Sequence, residues 1–212
     1  MVQGKKLSVP IFFAPSAMHR LACENGERDS AKAAYELNTL FCLSTHSSCT
    51  PSQVAKANQT GLRWYQLYLN KDRELSKKVI TRLKDLGYTA IVLTVDAPVA
   101  GYRERDFRAR IGDEVEKSES ASKLANFGFF KNIQDCSFEW EIIDWISSVT
   151  DLDIYIKGVH RVDDALKARE MGCRGILVGN HGGRQLDSVP SALEMLVPIA
   201  KACRQYKDFE IY

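Results

Sequence analysis

Residues 175–187 read GILVGNHGGRQLD and set a histidine and an arginine among four glycines. Ile176, Leu177 and Val178 form a short apolar run of the kind that becomes a strand buried on both faces, and the chain turns polar directly after it. A histidine just past the end of a buried strand titrates near neutral pH and suits a general base. The planar fork of Arg184 suits a bidentate grip on a carboxylate. The competing reading is a glycine-rich turn with incidental polar residues. Partners elsewhere in the chain decide between the two.

Lys157, inside IYIKGV, is the first candidate partner, because a lysine in a buried strand is costly unless an anion pairs with it. A ligand anion and a structural salt bridge both satisfy that requirement. Asp96 ends the apolar run AIVLTV and either caps the next turn or holds a histidine in its proton-accepting tautomer. Ser44, Gln66 and Thr94 can hydrogen-bond a planar heteroaromatic ring, and Tyr68 can donate to a substrate oxygen. Each alone has an ordinary reading as a satisfied core residue. With His181, Arg103 and Arg184 they make a coherent set: a base, its orienter, two carboxylate anchors and a ring cradle. No GxGxxG follows the first strand and no phosphate-binding P-loop is present, which removes the main sequence support for Rossmann-type nicotinamide binding and nucleotide hydrolysis.

The elements that would position these residues alternate regularly. Apolar runs at residues 10–14 (PIFFA), 39–43, 62–69, 90–95, 153–159 and 175–179 read as strands, and 209–212 begins another. Alternation in 62–69 puts Trp64, Gln66 and Tyr68 on one face. Between the strands, residues 28–37, a segment opened by Thr50 and Pro51, residues 72–87, a stretch around Trp140, Ile143 and Trp145, residues 162–171 and residues 190–202 carry helical signals. In the helix at 72–87, Leu75, Val79, Ile80, Leu83 and Leu86 are expected on the buried face, with Gly87 as its C-terminal cap. Residues 109–135 mix charges, serines and glycine without periodicity and read as a mobile surface loop. The repeat predicts a parallel sheet covered by helices. A (β/α)8 barrel is favoured over an open doubly wound sheet, because polar residues (Ser16, Ser44, Tyr68, Asp96, Lys157, His181) follow strand after strand, where a barrel gathers its active site.

Composition narrows the function. The chain has 212 residues and a formal net charge of +2. It is long enough for one sizeable domain, taken as residues 1–212, and has no basic run dense enough to track nucleic acid. No stretch matches a membrane span or a secretory signal, so a soluble protein is expected. The six cysteines show no CxxC pair or zinc-type spacing, and packing roles with reduced thiols are expected.

At these residues the chain resembles the flavin mononucleotide (FMN)-dependent 2-hydroxy acid oxidases and dehydrogenases, the family of glycolate oxidase, lactate oxidase and flavocytochrome b2. The resemblance rests on APSAM (14–18), YQLY (65–68), LTVDAP (93–98), RERD (103–106), IKGV (156–159) and NHGGRQLD (180–187), in order from about Pro10 to the C-terminus. It implies a TIM barrel that is truncated after six to seven strands. It also implies FMN as cofactor and oxidation of a small (S)-2-hydroxy acid of the lactate or glycolate class to the 2-oxo acid. By position, His181 would be the base, oriented by Asp96, with Arg103, Arg184 and Tyr68 holding the substrate. Lys157 would stabilise the reduced ring electrostatically, Ser44, Gln66 and Thr94 would cradle it, and the backbone at Ser16 and Ala17 would face its reactive edge. No metal is implied. The electron acceptor would be oxygen or a cytochrome, full-length members would be homo-oligomeric, and cytoplasmic, mitochondrial and peroxisomal locations all fit.

Departures from the family pattern carry their own expectations. His46 stands where an aromatic or large apolar residue is usual, which would alter substrate size preference or add a titrating group. Gly179 replaces a common serine. The family's aspartate-glycine-glycine segment and glycine-arginine pair, which bind the flavin phosphate, would lie beyond Tyr212, and its N-terminal substrate-contacting tyrosine would lie before Val9. A non-catalytic remnant of the family is therefore the alternative to an enzyme. A flavin-barrel isomerase, or a flavin-barrel dehydrogenase of a different substrate, is a further option, against which Arg103, His181 and Arg184 argue together.

Overall fold

The computed structural model describes residues 1–99, 101–102, 104 and 134–212. Arg103 and residues 109–133 of the expected surface loop lie outside the described residues. Short apolar runs become strands here because helices cover them on one side and their own neighbours on the other. β1 (Phe41–Leu43), β2 (Arg63–Leu67), β3 (Ala90–Thr94), β4 (Asp153–Val159), β5 (Gly175–Val178) and β6 (Glu210–Ile211) form one sheet. All its pairings are parallel, and its spatial order is β1-β2-β3-β4-β5-β6, the order of the sequence. An open doubly wound sheet reverses its strand order at a switch point; a barrel never does. The strictly sequential order makes this sheet an arc of a (β/α)8 barrel.

PIFFA contributes less than a strand. Only Phe13 bridges Phe41, with the Phe13 amide donating to Leu40 and the Cys42 amide to Phe13. Pro10 and Pro15, neither of which has an amide hydrogen, bracket the run and limit the ladder at both of its ends.

Alternation along the strands separates two cores. Cys42, Trp64, Ala90, Val92, Tyr155 and Leu177 face the inside of the arc, while Phe41, Leu43, Tyr65, Leu67, Ile91, Leu93, Ile154, Ile156 and Ile176 face the helices. Trp64 stacks on Tyr155 at 4.2 Å between ring centroids and meets Tyr212 edge-on, so aromatic rings fill the end of the arc opposite the strand C-termini. Gln3 closes that end. Its side chain accepts from Trp64 Nε1 at 3.0 Å and donates to Asp153 at 2.6 Å and to the Thr89 carbonyl at 3.1 Å. With the interior sealed below, the polar strand ends above are the face left for a ligand.

Six α-helices are described: α1 (Glu27–Glu36), α2 (Pro51–Asn58), α3 (Arg73–Asp85), α4 (Ile142–Val149), α5 (Val162–Glu170) and α6 (Ala192–Cys203). Thr50 caps α2 through a full capping box with Gln53, and Pro51 occupies the first turn, where no amide hydrogen is needed. Thr50→Ala is expected to lower stability by about 1 kcal/mol, measured as a shift in urea midpoint. In α3 the buried face differs from expectation. Ser76, Ile80 and Leu83 are buried, whereas Leu75 and Val79 are 46% and 36% exposed. Positions 76, 80 and 83 share one stripe, and Leu75 and Val79 sit about a quarter-turn away. Ser76 earns its buried place by accepting the Asn70 amide hydrogen at 2.9 Å.

All six cysteines are free thiols, four of them buried, and burial pushes the Cys173 thiol up to about 12. No described helix is long and apolar enough to cross a membrane, and no described group of three or more His, Cys, Asp or Glu side chains could hold a metal.

Candidate active site at the strand C-termini

Because the sheet is parallel, the residues that follow each strand gather at one end. A cavity of about 660 Å³ opens there, lined by Ser16, Ala17, Ser44, His46, Gln66, Tyr68, Thr94, Lys157, Gly179, His181 and Arg184 among others. This volume is typical of small-molecule and cofactor sites. A smaller cavity of about 310 Å³ lies on the helix side of β3 and β4. Its lining by Leu93, Phe138, Trp140, Ile143 and Ile156 marks it as a packing gap rather than a site for chemistry.

The charged centre of the site is built on three consecutive strands. Asp96, just beyond β3, is nearly enclosed, with its side chain 9% exposed. Its Oδ1 lies 2.8 Å from His181 Nδ1, and its Oδ2 lies 3.8 Å from Lys157 Nζ on β4. Oδ2 is buried and makes no hydrogen bond among the described residues. A carboxylate on Nδ1 fixes the imidazole orientation and directs the basic lone pair to Nε2. His181 itself sits at φ 60°, a left-handed conformation unusual for a residue with a Cβ. The turn that follows stabilises that conformation: Asn180 Oδ1 accepts the Gly183 amide hydrogen at 3.1 Å, and Gly182 and Gly183 also have positive φ. Glycines in this stretch thus shape the turn that presents the histidine.

A polar wall runs along the neighbouring strands. Gln66 Nε2 donates to Thr94 Oγ1 at 3.0 Å, Ser44 Oγ donates to Gln66 Oε1 at 3.3 Å, and the Thr45 amide donates to the same oxygen at 3.0 Å. Ser44, Gln66 and Thr94 are all buried, and the hydrogen bonds fix their orientations at the cavity edge. Thr45 also ties β1 to β2, its hydroxyl donating to the Gln66 carbonyl at 2.6 Å and accepting the Tyr68 amide hydrogen at 3.0 Å. His46 stacks on Tyr68 with ring centroids 5.0 Å apart. Burial pushes the His46 imidazole below its ordinary 6.5, so it is neutral at pH 7.

The structure therefore brings Ser16, Ala17, Ser44, Gln66, Tyr68, Thr94, Lys157, His181 and Arg184 to one cavity, with Asp96 beneath His181 and Lys157. Sequence reasoning missed Thr45, Gln134, Gln185 and Gly158. Gln185 accepts the Gly101 amide hydrogen at 2.9 Å and donates to the Val99 carbonyl at 2.7 Å, tying the segment after β3 to the His181 turn. Gly158 carried a readable signal, a glycine inside a strand; the others carried none.

The donor set fits a flavin ring. Lys157 supplies a cation, the hydroxyl and amide wall supplies donors and acceptors for a planar heteroaromatic edge, and the volume accommodates both ring and substrate. A strand-end histidine with its carboxylate, beside a lysine and a polar wall, sits where a barrel-type α/β protein gathers its active site. The chain belongs to the FMN-dependent dehydrogenase family, whose model matches residues 1–212. Among its relatives, a 2-hydroxyacid oxidase of Dictyostelium discoideum is 37% identical over 211 residues, covering 95% of this chain and 54% of that protein. Human 2-hydroxyacid oxidase 1 is 38% identical over 216 residues, covering 95% and 58%. A lactate oxidase structure from Pediococcus acidilactici superposes with a TM-score of 0.85 at 32% identity, covering 97% of this chain and 56% of that one. A flavocytochrome b2 variant with sulfite bound gives 0.84 at 30% identity, covering 98% and 51%. The chain thus spans about half the length of the relatives it matches.

Proposed function

We propose that this chain carries the ring-binding and substrate-binding part of an FMN-dependent 2-hydroxy acid oxidase or dehydrogenase, acting on a small (S)-2-hydroxy acid of the lactate or glycolate class. The 2.8 Å contact between His181 Nδ1 and Asp96 Oδ1, at the wall of a cavity of cofactor size, carries the reading. His181 Nε2 takes a proton from the substrate, and Asp96 holds the ring and stabilises the imidazolium that forms. Arg184, exposed at the rim, anchors the substrate carboxylate together with Arg103. Tyr68 hydrogen-bonds the same substrate, and the neutral His46 packed on it sets how large a substituent the hydroxy acid can carry. FMN, when bound, supplies the two-electron acceptor; Lys157, Ser44, Gln66, Thr94 and the backbone at Ser16 and Ala17 hold its ring. Oxygen or a cytochrome takes the electrons onward.

The test is a substrate panel on the FMN-supplemented chain, running from glycolate and lactate to longer 2-hydroxy acids, with oxygen, a cytochrome and an artificial dye as acceptors. Stereoselective formation of the 2-oxo acid is expected. Retention of FMN without turnover of any member would support a non-catalytic remnant instead.

A further inference from the structure

Gly158 is the feature of the site that the proposed chemistry leaves unused. It has a φ of 98°, a region closed to side chains on steric grounds, and it sits inside β4 between the cavity-facing Lys157 and the helix-facing Val159. The ladder to β5 slips there: Lys157 pairs with Leu177 and Val159 with Val178, so two steps along β4 match one along β5. This is a bulge with glycine at the extra position. Hydrogen bonds continue on both sides of it, from the Val95 amide to the Lys157 carbonyl at 3.0 Å and from the Gly179 amide to the Val159 carbonyl at 3.2 Å. The bulge is therefore a fixed part of the sheet. The space left by its missing side chain is occupied by Asp96. A Cβ on Gly158 would lie 2.3 Å from Asp96 Cγ and 2.6 Å from Oδ2.

We propose that Gly158 is a positioning residue for the base: its bulge is the seat of the Asp96 carboxylate, and it thereby sets the contact that holds the His181 imidazole with its proton on Nδ1. The inference rests on the reading of His181 as the base, and it concerns ground-state geometry that exists with or without flavin. Two observations make the seat specific. Asp96 Oδ2 is buried without a hydrogen bond among the described residues, where packing against Gly158, with Lys157 at 3.8 Å, is what locates that oxygen. Among the described residues Oδ1 is held only by His181, so a displaced carboxylate loses its grip on the ring first.

The experiment is Gly158→Ala in the 212-residue chain, read by nitrogen-15 NMR of the four histidine rings, with the His181 signals assigned by their loss in His181→Asn. The parent chain is expected to show His181 with its proton on Nδ1 when neutral, and Gly158→Ala is expected to move most of that population to Nε2. A Gly158→Ala chain that keeps the Nδ1–H form would overturn the proposal. Stability of the same substitution in an Asp96→Ala background separates the seat from backbone strain alone. If the seat matters, removing the carboxylate should recover at least half of the melting-temperature drop, or restore folding if the single variant does not fold. An equal drop in both backgrounds, or a double variant that also fails to fold, would contradict it. Failure of the base reading looks different: hydroxy acid turnover would survive His181→Asn, whatever tautomer the parent ring shows.

Discussion

His181→Asn is expected to reduce hydroxy acid turnover by roughly 10³- to 10⁴-fold while leaving KM within a few-fold, since general-base catalysis contributes to the transition state more than to ground-state binding. Asparagine keeps a polar group at the strand end but has no basic nitrogen. Asp96→Asn is expected to cost somewhat less, because the imidazole remains but its hydrogen-bond partner can now donate as well as accept, which permits the wrong tautomer. The two side chains touch at 2.8 Å and act as a unit, so the double variant should be hardly worse than His181→Asn alone. Steady-state kinetics on the four proteins checks this. Additive losses would show that Asp96 has a role apart from the histidine, for instance in holding Lys157.

The second large effect is on stability. Glu27, at the start of α1, is completely buried, yet it forms no ion pair among the described residues. Its carboxylate accepts from the His19 amide at 3.0 Å, the Ser48 amide at 2.8 Å and the Ser48 hydroxyl at 2.7 Å. Burial by itself would raise its pKa, but the hydrogen bonds from Ser48 and His19 outweigh burial and bring it from 4.5 to about 2. It therefore pins two loops of the site to α1, the one after Met18 and the one that carries Ser44 and His46. A carboxyl whose pKa is depressed on folding contributes stability that is fully present above its unfolded pKa and is lost as pH falls through its folded value. The shift corresponds to roughly 3 kcal/mol, gone by about pH 2. Glu27→Gln is thus expected to destabilise the chain by about that amount near neutral pH, since the amide replaces an acceptor with a donor aimed at amide hydrogens. The gap between parent and variant in urea midpoint should close as pH is lowered from about 5 toward 2. His46 acts at milder pH: its folded pKa is lowered, so the parent also loses some stability as pH falls below 6.5 and the unfolded chain takes up the proton first.

Physical character explains which features were legible in the sequence. Strands buried on both faces are written as continuous apolar runs, so AIVLTV and GILV locate β3 and β5 directly, and the alternation of Trp64, Gln66 and Tyr68 shows which side faces in. Sequential strand order is not written locally, and it needed the repeated polar residues after strands to favour a barrel. PIFFA shows the limit of that logic, since an apolar run bracketed by prolines gives one bridge in place of a strand. The α3 face shows another, because a buried serine with a hydrogen-bonded hydroxyl outranks two leucine-like positions at the flank. Within the site, His181 and Lys157 are conspicuous by type and place, and Asp96 by ending a buried run, but whether it capped a turn or oriented the histidine was left open by the residues alone and is answered by the 2.8 Å contact. Glu27 was invisible, as a glutamate in a helix-forming stretch looks like any solvated charge.

We propose that His181, oriented by Asp96, removes the substrate proton beside a flavin held by this chain. Anaerobic mixing of the FMN-loaded chain with excess (S)-lactate or glycolate tests it most directly, because the absence of oxygen leaves flavin reduction by substrate as the only change to watch. Rapid loss of the oxidised-flavin absorbance is predicted for the parent, and near-complete abolition of that loss for His181→Asn with FMN still bound. Bleaching at the parent rate in His181→Asn would contradict the account.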